Sequence, residues 1–241
     1  MTSRRQSRRE DVQRRLKALS PESKRCIVLG CSEPTRASSG DGFDKRLCRR
    51  HAEHLSTHGS AFRKTYTAKE LAPGRTKAKA WLKSNADSQA CKIAKERVRI
   101  LYRSAGPLEP AYRLKGMPPK ERSRKAWERL REALIAPERI LEAWLAGSAT
   151  ITTDGEADTR PEFRRVQAAK IVHRLASGTH KVWHTTASGG HEITERLEVY
   201  PRSRGRVLRH LGEDIERACE TLPDLDAYRV HGKTNPPFLD R

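Results

Sequence analysis

No run of 18 apolar residues occurs in this chain, so no transmembrane helix is expected. The opening MTSRRQSRRE has no apolar segment of the kind that directs secretion, so no export signal is expected either. Apolar residues make up only 35% of the 241 positions, which predicts a core that is thin relative to the polar surface. Neither a P-loop nor a dinucleotide-binding glycine fingerprint is present. No internal repeat is visible, which argues against a solenoid or propeller. The five cysteines form no regular extracellular framework, and five is an odd number. A reducing, cytoplasmic setting is the expectation, where clustered thiols hold metal more often than they pair.

Positive charge is what the chain has in excess. The formal net charge is +20, with an isoelectric point near 10.3. A field of that size favours a polyanionic partner. The excess is uneven. Residues 1–83 hold 21 Lys and Arg against 8 Asp and Glu, whereas residues 84–241 hold 29 against 22. A merely solvated surface accounts for the mixed signs after residue 84 but not for the imbalance before it.

Hydrophobic periodicity predicts a mainly α fold with a small N-terminal zinc knuckle, a helical middle and a C-terminal α+β piece with a β-hairpin. Residues 1–25 read as a basic arm. Within it SRREDVQRRLKAL carries Val12, Leu16 and Leu19 on one face, and Arg4, Arg5, Arg8, Arg9, Arg14 and Arg15 as candidate phosphate contacts. Residues 26–72 read as the knuckle, and LAPGRT at 71–76 as a breaker and linker. Residues 76–147 read as helical, split near SNADSQ with Asp87 as a candidate cap, restarted at Pro119 and Pro137 and closed by Gly147. GSATITTDGEADTR at 147–160 shows no helical period and reads as a loop between two sub-structures. Residues 160–223 read as helix, hairpin (KVWHTT against HEITERLEVY) and helix, and 224–241 as an irregular tail.

The chemistry concentrates in CIVLGCSEPTRASSGDGFDKRLCRRH, where Cys26, Cys31, Cys48 and His51 are spaced C-x4-C-x16-C-x2-H. Structural zinc takes four such ligands at tetrahedral corners, leaving no open position for catalysis. The first pair brackets a glycine-containing turn that can fold two thiolates toward one point. The second pair begins a helix, where residues three apart are neighbours. His54 lies six residues beyond Cys48, a rise of roughly 9 Å in a regular helix, too far to share the ion. A distorted helix would let His54 replace His51. Otherwise His54 and His58 pack on the knuckle or meet an anion.

The segment resembles the small three-cysteine, one-histidine zinc module of phage and mobile-element proteins, which often accompanies HNH-type endonucleases or other DNA-binding domains. Leu47, Cys48, His51, His58, Gly59 and Ser60 stand at its characteristic places. The chain departs from it at Ala52, where an aromatic residue is common, and in its long central loop. The likeness spans about 35 residues. It implies association with nucleic acid, DNA ahead of RNA, and a phage or mobile-element setting.

Other groups admit a plain reading beside a functional one. Cys91 and Cys219 fall on apolar faces and read as core. Arg49 and Arg50 beside the knuckle, Arg164, Arg165, Lys170, Arg174 and Lys181 along a basic helix and turn, and Arg202, Arg204 and Arg206 at a helix start read as phosphate donors or as solvated cations. His173, His180, His184, His191 and His210 recur around the hairpin, and VHGKTNPP superficially echoes an HNH centre. With only Asn85 and Asn235 as asparagines and no later histidine, no residue is assigned a catalytic role. The expectation is a zinc-containing nucleic-acid-binding protein. A metal-dependent nuclease, and a basic adaptor for an acidic protein, are the alternatives.

Overall fold

The computed structural model describes residues 25–176 except 110 and 115, then 182–186, 190, 192–196 and 205–225, together with 6–8, 10, 11 and 14. Those few N-terminal residues are helical; Val12, Leu16 and Leu19 lie outside the described set. The chain divides into two compact units, residues 1–64 and 65–241.

The first unit is built on little regular structure. An isolated antiparallel bridge joins Arg25 to Pro34, and an irregular loop leads to α1, Arg49–His58. Gly59 takes a left-handed conformation (φ 77°) and its N–H bonds back to the Leu55 carbonyl, which ends the helix. Among the described residues of this unit the buried apolar side chains are Cys26, Ala37, Leu47, Cys48 and Ala61; Val28, Cys31, Ala52 and Leu55 pack against the cluster that Cys26, Leu47, Cys48 and Ala61 form.

The second unit is helical: α2 (Ala68–Ser84), α3 (Gln89–Ser104), a short 3-10 turn (Ala111–Leu114), α4 (Pro119–Glu132), α5 (Pro137–Thr153), α6 (Pro161–Ala176) and α7 (Arg206–Ala218). Proline stands at the first turn of α4 and α5, where its missing N–H has no helical partner to lose. α5 is the central helix. Residues 140–150 are all buried, and α2, α3, α6 and α7 pack around it. A helix apolar or small on every side belongs at a core. Trp127 and Leu130 of α4, Ile140, Leu141 and Leu145 of α5, Phe163 of α6, and Leu208, Leu211 and Ile215 of α7 fill that core. Among the described residues no helix is long and apolar enough to cross a membrane.

Three readings of the sequence are corrected here. The C-terminal α+β piece with its β-hairpin does not describe the architecture. α6 and α7 pack on α4 and α5 and complete one helical core instead of standing apart with a sheet. Apart from the Arg25–Pro34 bridge, β pairing among the described residues is limited to β1 (Val182–Thr186) against β2 (Glu192–Arg196). A two-strand ribbon cannot support a layer by itself. The fold is therefore helical.

The 147–160 segment is not a loop at its start, for α5 runs through Gly147 to Thr153. Its hydroxyls bond back to the preceding turn: Ser148 to the Trp144 carbonyl (3.0 Å), Thr150 to Ala146 (2.8 Å) and Thr152 to Ser148 (3.1 Å). Side chains that read as polar thus satisfy themselves and can be buried.

LAPGRT is not a linker either. A capping box starts α2 just upstream, with Thr67 Oγ1 accepting from Glu70 N and Glu70 accepting from Thr67 N. The helix then carries Pro73 and buries Gly74 against α5. A Cβ on Gly74 would stand 2.6 Å from both the Ala146 carbonyl oxygen and Thr150 Oγ1. Here the glycine marks a close helix–helix approach, not a break.

Candidate metal centre

Local backbone geometry gathers the four ligands. The Cys31 N–H bonds to the Val28 carbonyl at 3.0 Å, and Gly30 takes the positive φ (76°) that this tight turn needs. The Cys26 N–H bonds to the Glu33 carbonyl, closing the first loop. Ile27 N–H to Arg46 and Arg36 N–H to Leu47, both 2.9 Å, lay the two cysteine-bearing segments side by side. Asp44 Oδ1 accepts from the N–H groups of Arg46 (2.8 Å) and Leu47 (3.0 Å), a turn that delivers Cys48 to the N-cap of α1. His51 follows one turn later.

The result is a cluster in which one ligand atom from each of Cys26, Cys31, Cys48 and His51 lies within 4.8 Å of the others. Cys26 Sγ and Cys48 Sγ are each 3.3 Å from His51 Nδ1. A tetrahedral zinc with ordinary bond lengths would set sulfur and nitrogen about 3.6 Å apart, so the donors need to move only slightly to hold one ion. Donor chemistry fits as well, since three thiols and an imidazole are soft to borderline ligands that suit zinc. Cys26, Cys48 and His51 are buried and Cys31 half-buried, leaving no wide opening for a substrate.

The electrostatics point the same way. Burial tends to raise the Cys26 thiol, but hydrogen bonding from the Cys48 and Val28 backbone and from the neighbouring thiols brings it below its ordinary value. Cys48 goes above its ordinary value through burial and the adjacent sulfurs, although the His51 backbone opposes this. Clustered thiolates without a cation compete for charge, and a divalent ion removes the conflict. Burial, then Arg50 and His54, lower His51 and favour the neutral imidazole that metals bind.

His54 is not part of the cluster. Its Nδ1 lies 2.8 Å from the Ser60 carbonyl, to which it can donate, and its ring stacks on His58 at a centroid distance of 4.4 Å. Ser60 is fully buried and its Oγ accepts from the N–H groups of Phe62 and Arg63. The His-Gly-Ser turn thus fastens the end of α1 to the following strand of chain. Among the described residues no other group of three or more His, Cys, Asp or Glu is placed to hold a metal. No family model, curated protein or solved structure matches this chain.

The candidate phosphate donors have varied surroundings. Arg8 and Arg14 are exposed. Arg49 pairs with Glu53 at 3.1 Å and Asp41 at 3.8 Å, and Arg50 lies 3.5 Å from His51 Nε2. Arg164 stacks over Trp144 (4.3 Å to the ring centroid) and reaches Asp224, while Arg165 binds Glu216 at 2.6 Å. Lys170 donates to Thr65 Oγ1 at 3.3 Å. Arg174 on α6 and Arg206 at the start of α7 are exposed. Arg4, Arg5, Arg9, Arg15, Lys181, Arg202 and Arg204 lie outside the described residues, as do His180, His191 and the VHGKTNPP segment.

The remaining titratable groups have structural surroundings. His173 faces Arg129 at 3.2 Å, and burial followed by the charges of Arg129, Arg122 and Arg174 lowers its pKa to about 4. His210 Nδ1 is 3.3 Å from Glu213. Cys91 and Cys219 are buried core side chains, and burial pushes the Cys219 thiol far above its ordinary value.

Proposed function

We propose that this is a zinc-containing nucleic-acid-binding protein, with DNA as its ligand, in which one Zn2+ on Cys26, Cys31, Cys48 and His51 holds a cationic head in shape. The observation that carries the reading is the convergence of four soft donors within 4.8 Å. Such a closed site leaves no open coordination position, so the ion's role is structural. The apolar core of this unit is very small, and two of its four buried members are themselves ligands. A unit with so little to bury gains its stability from metal.

Charge supports the second half of the reading. An excess of +13 over residues 1–83 suits neutralisation of phosphates and release of their counterions. The likeness of the Leu47–Ser60 stretch to modules of phage and mobile-element proteins supports DNA as the polyanion and that biological setting. Reduced thiols fit a cytoplasmic location.

The test is purification without chelator, followed by metal analysis and duplex binding. One zinc per chain is expected, with Cys48→Ser and His51→Ala losing it and His54→Ala keeping it. Duplex affinity should fall steeply as salt rises. Metal-free protein whose first unit keeps its fold, or co-purification with an acidic protein and no affinity for nucleic acid, would overturn the proposal.

A further inference from the structure

The cations of the helical unit fall into two sorts. On α3, Arg99 and Arg103 both engage Glu96, at 3.3 Å and 2.6 Å, and Arg97 reaches Glu220 at 3.2 Å. On α7, Arg217 binds Asp214 at 2.6 Å and Arg209 binds Glu162. Intramolecular carboxylates answer these charges. On α2 the pattern changes. Lys69, Arg75, Lys79 and Lys83 make no ion pair or side-chain hydrogen bond among the described residues. Residues 71–86 contain no acidic residue at all. The one carboxylate of the helix, Glu70, is committed to the backbone N–H of Thr67 in the capping box.

Packing fixes which way this helix faces. Leu71, Gly74 and Ala78 are buried, and Gly74 meets α5. The opposite side presents Lys69, Ala72, Pro73, Thr76, Lys79, Ala80 and Lys83, all exposed. Between the lysines this surface is low and self-satisfied. Thr76 Oγ1 donates to the Ala72 carbonyl and Ser84 Oγ to the Ala80 carbonyl, both at 3.2 Å. From residue 71 to 86 the helix itself places no acidic side chain beside this face.

We infer that the outer face of α2 is a phosphate-contact surface of its own, which seats this helix along the major groove of duplex DNA. The inference rests on the nucleic-acid reading and locates part of the contact in the helical unit, apart from the knuckle. From Lys69 to Lys83 the helix rises about 21 Å. Over that length a duplex presents roughly six phosphates on each strand. The B-form major groove, about 12 Å wide, admits an α-helix, and small residues let the axis come close. An A-form RNA helix has a deep, narrow major groove that excludes one, which is why DNA is favoured.

The experiment uses the zinc-loaded full chain and a labelled duplex DNA, with affinity measured across a salt series. Replacing Lys69, Lys79 and Lys83 together by Gln should lower the slope of log affinity against log salt by roughly 2–3, since each phosphate contact contributes about 0.9. Affinity at 0.15 M salt should then drop on the order of a hundredfold. The charge-keeping variant Lys69→Arg, Lys79→Arg, Lys83→Arg should retain the wild-type slope. Gln at Arg99 and Arg103, whose charges Glu96 already answers, should change it far less. Should the triple Gln variant lose helicity, Lys79→Glu alone, at an exposed position, should still weaken binding. Wild-type binding with an unchanged slope in the triple variant would overturn this inference and leave the zinc-knuckle reading standing. Equal loss on duplex RNA would overturn the groove assignment. No duplex binding by the wild type would overturn both.

Discussion

His173 sits in α6 beside the Arg129 guanidinium, which at 3.2 Å can donate to the neutral ring but would repel a protonated one. Its folded pKa, about 4, lies below the ordinary value of 6.5. Between those values the unfolded chain binds the proton more readily than the folded one. The stability is fully present above pH 6.5 and is lost as pH falls toward 4, by about 3 kcal/mol in all. Urea unfolding at pH 7 and pH 4.5 should show this decline, and His173→Gln should flatten it. An identical pH dependence in wild type and variant would remove His173 as its source. Leu134 is a second telling residue. It closes α4 in a left-handed conformation (φ 53°) with its side chain 89% exposed. The Ile135 N–H bonds to the Leu130 carbonyl and the Leu134 N–H to that of Arg131, the double closure that glycine usually makes. Leu134→Gly should raise stability by about 1 kcal/mol, because glycine adopts this backbone without steric cost. A thermal shift of zero or below would refute that account.

Helix-on-helix contacts dominate at the scale of elements. Gly74→Ala would normally favour a helix, yet here the added methyl must push α2 away from the α5 backbone. A loss of about 1–3 kcal/mol is expected, opposite in sign to propensity. Gly212→Ala should behave alike, since its Cβ would stand 2.5 Å from the Arg165 carbonyl oxygen. Gly155→Ala, with nothing within 4 Å, should be near neutral. Thermal melts of the three variants distinguish packing from propensity. The same contacts explain what could be read in advance. The prolines at 119 and 137 mark helix starts because that effect is local. LAPGRT and GSATITT lack a helical signature because their hydroxyls bond back to their own helix while Gly74 is accounted for only by its long-range approach to α5. The gathering of Cys26, Cys31, Cys48 and His51 was legible because spacing, turn and helix rise are local too. The α2 lysines carry no sequence signal of their own, since hydrophobic periodicity marks apolar positions, whereas their significance lies in the carboxylates they lack.

For the whole molecule, the two units differ in what holds them. The helical unit buries a broad core, whereas the apolar cluster of the first unit has four buried members, two of them cysteines of the candidate metal centre. Strong chelation should therefore abolish the structure of the first unit while leaving the melting of the helical unit unchanged. Differential scanning calorimetry with and without chelator, followed by zinc re-addition, checks this, and one joint transition in both conditions would contradict it. That dependence has a further consequence. The knuckle carries Arg46, Arg49, Arg50, Arg63 and Lys64, every one a cleavage point for trypsin-like proteases. If the unit depends on metal as proposed, depletion would unfold the backbone around these side chains, so zinc supply would govern whether the cationic head survives attached to its helical body or is clipped away and degraded.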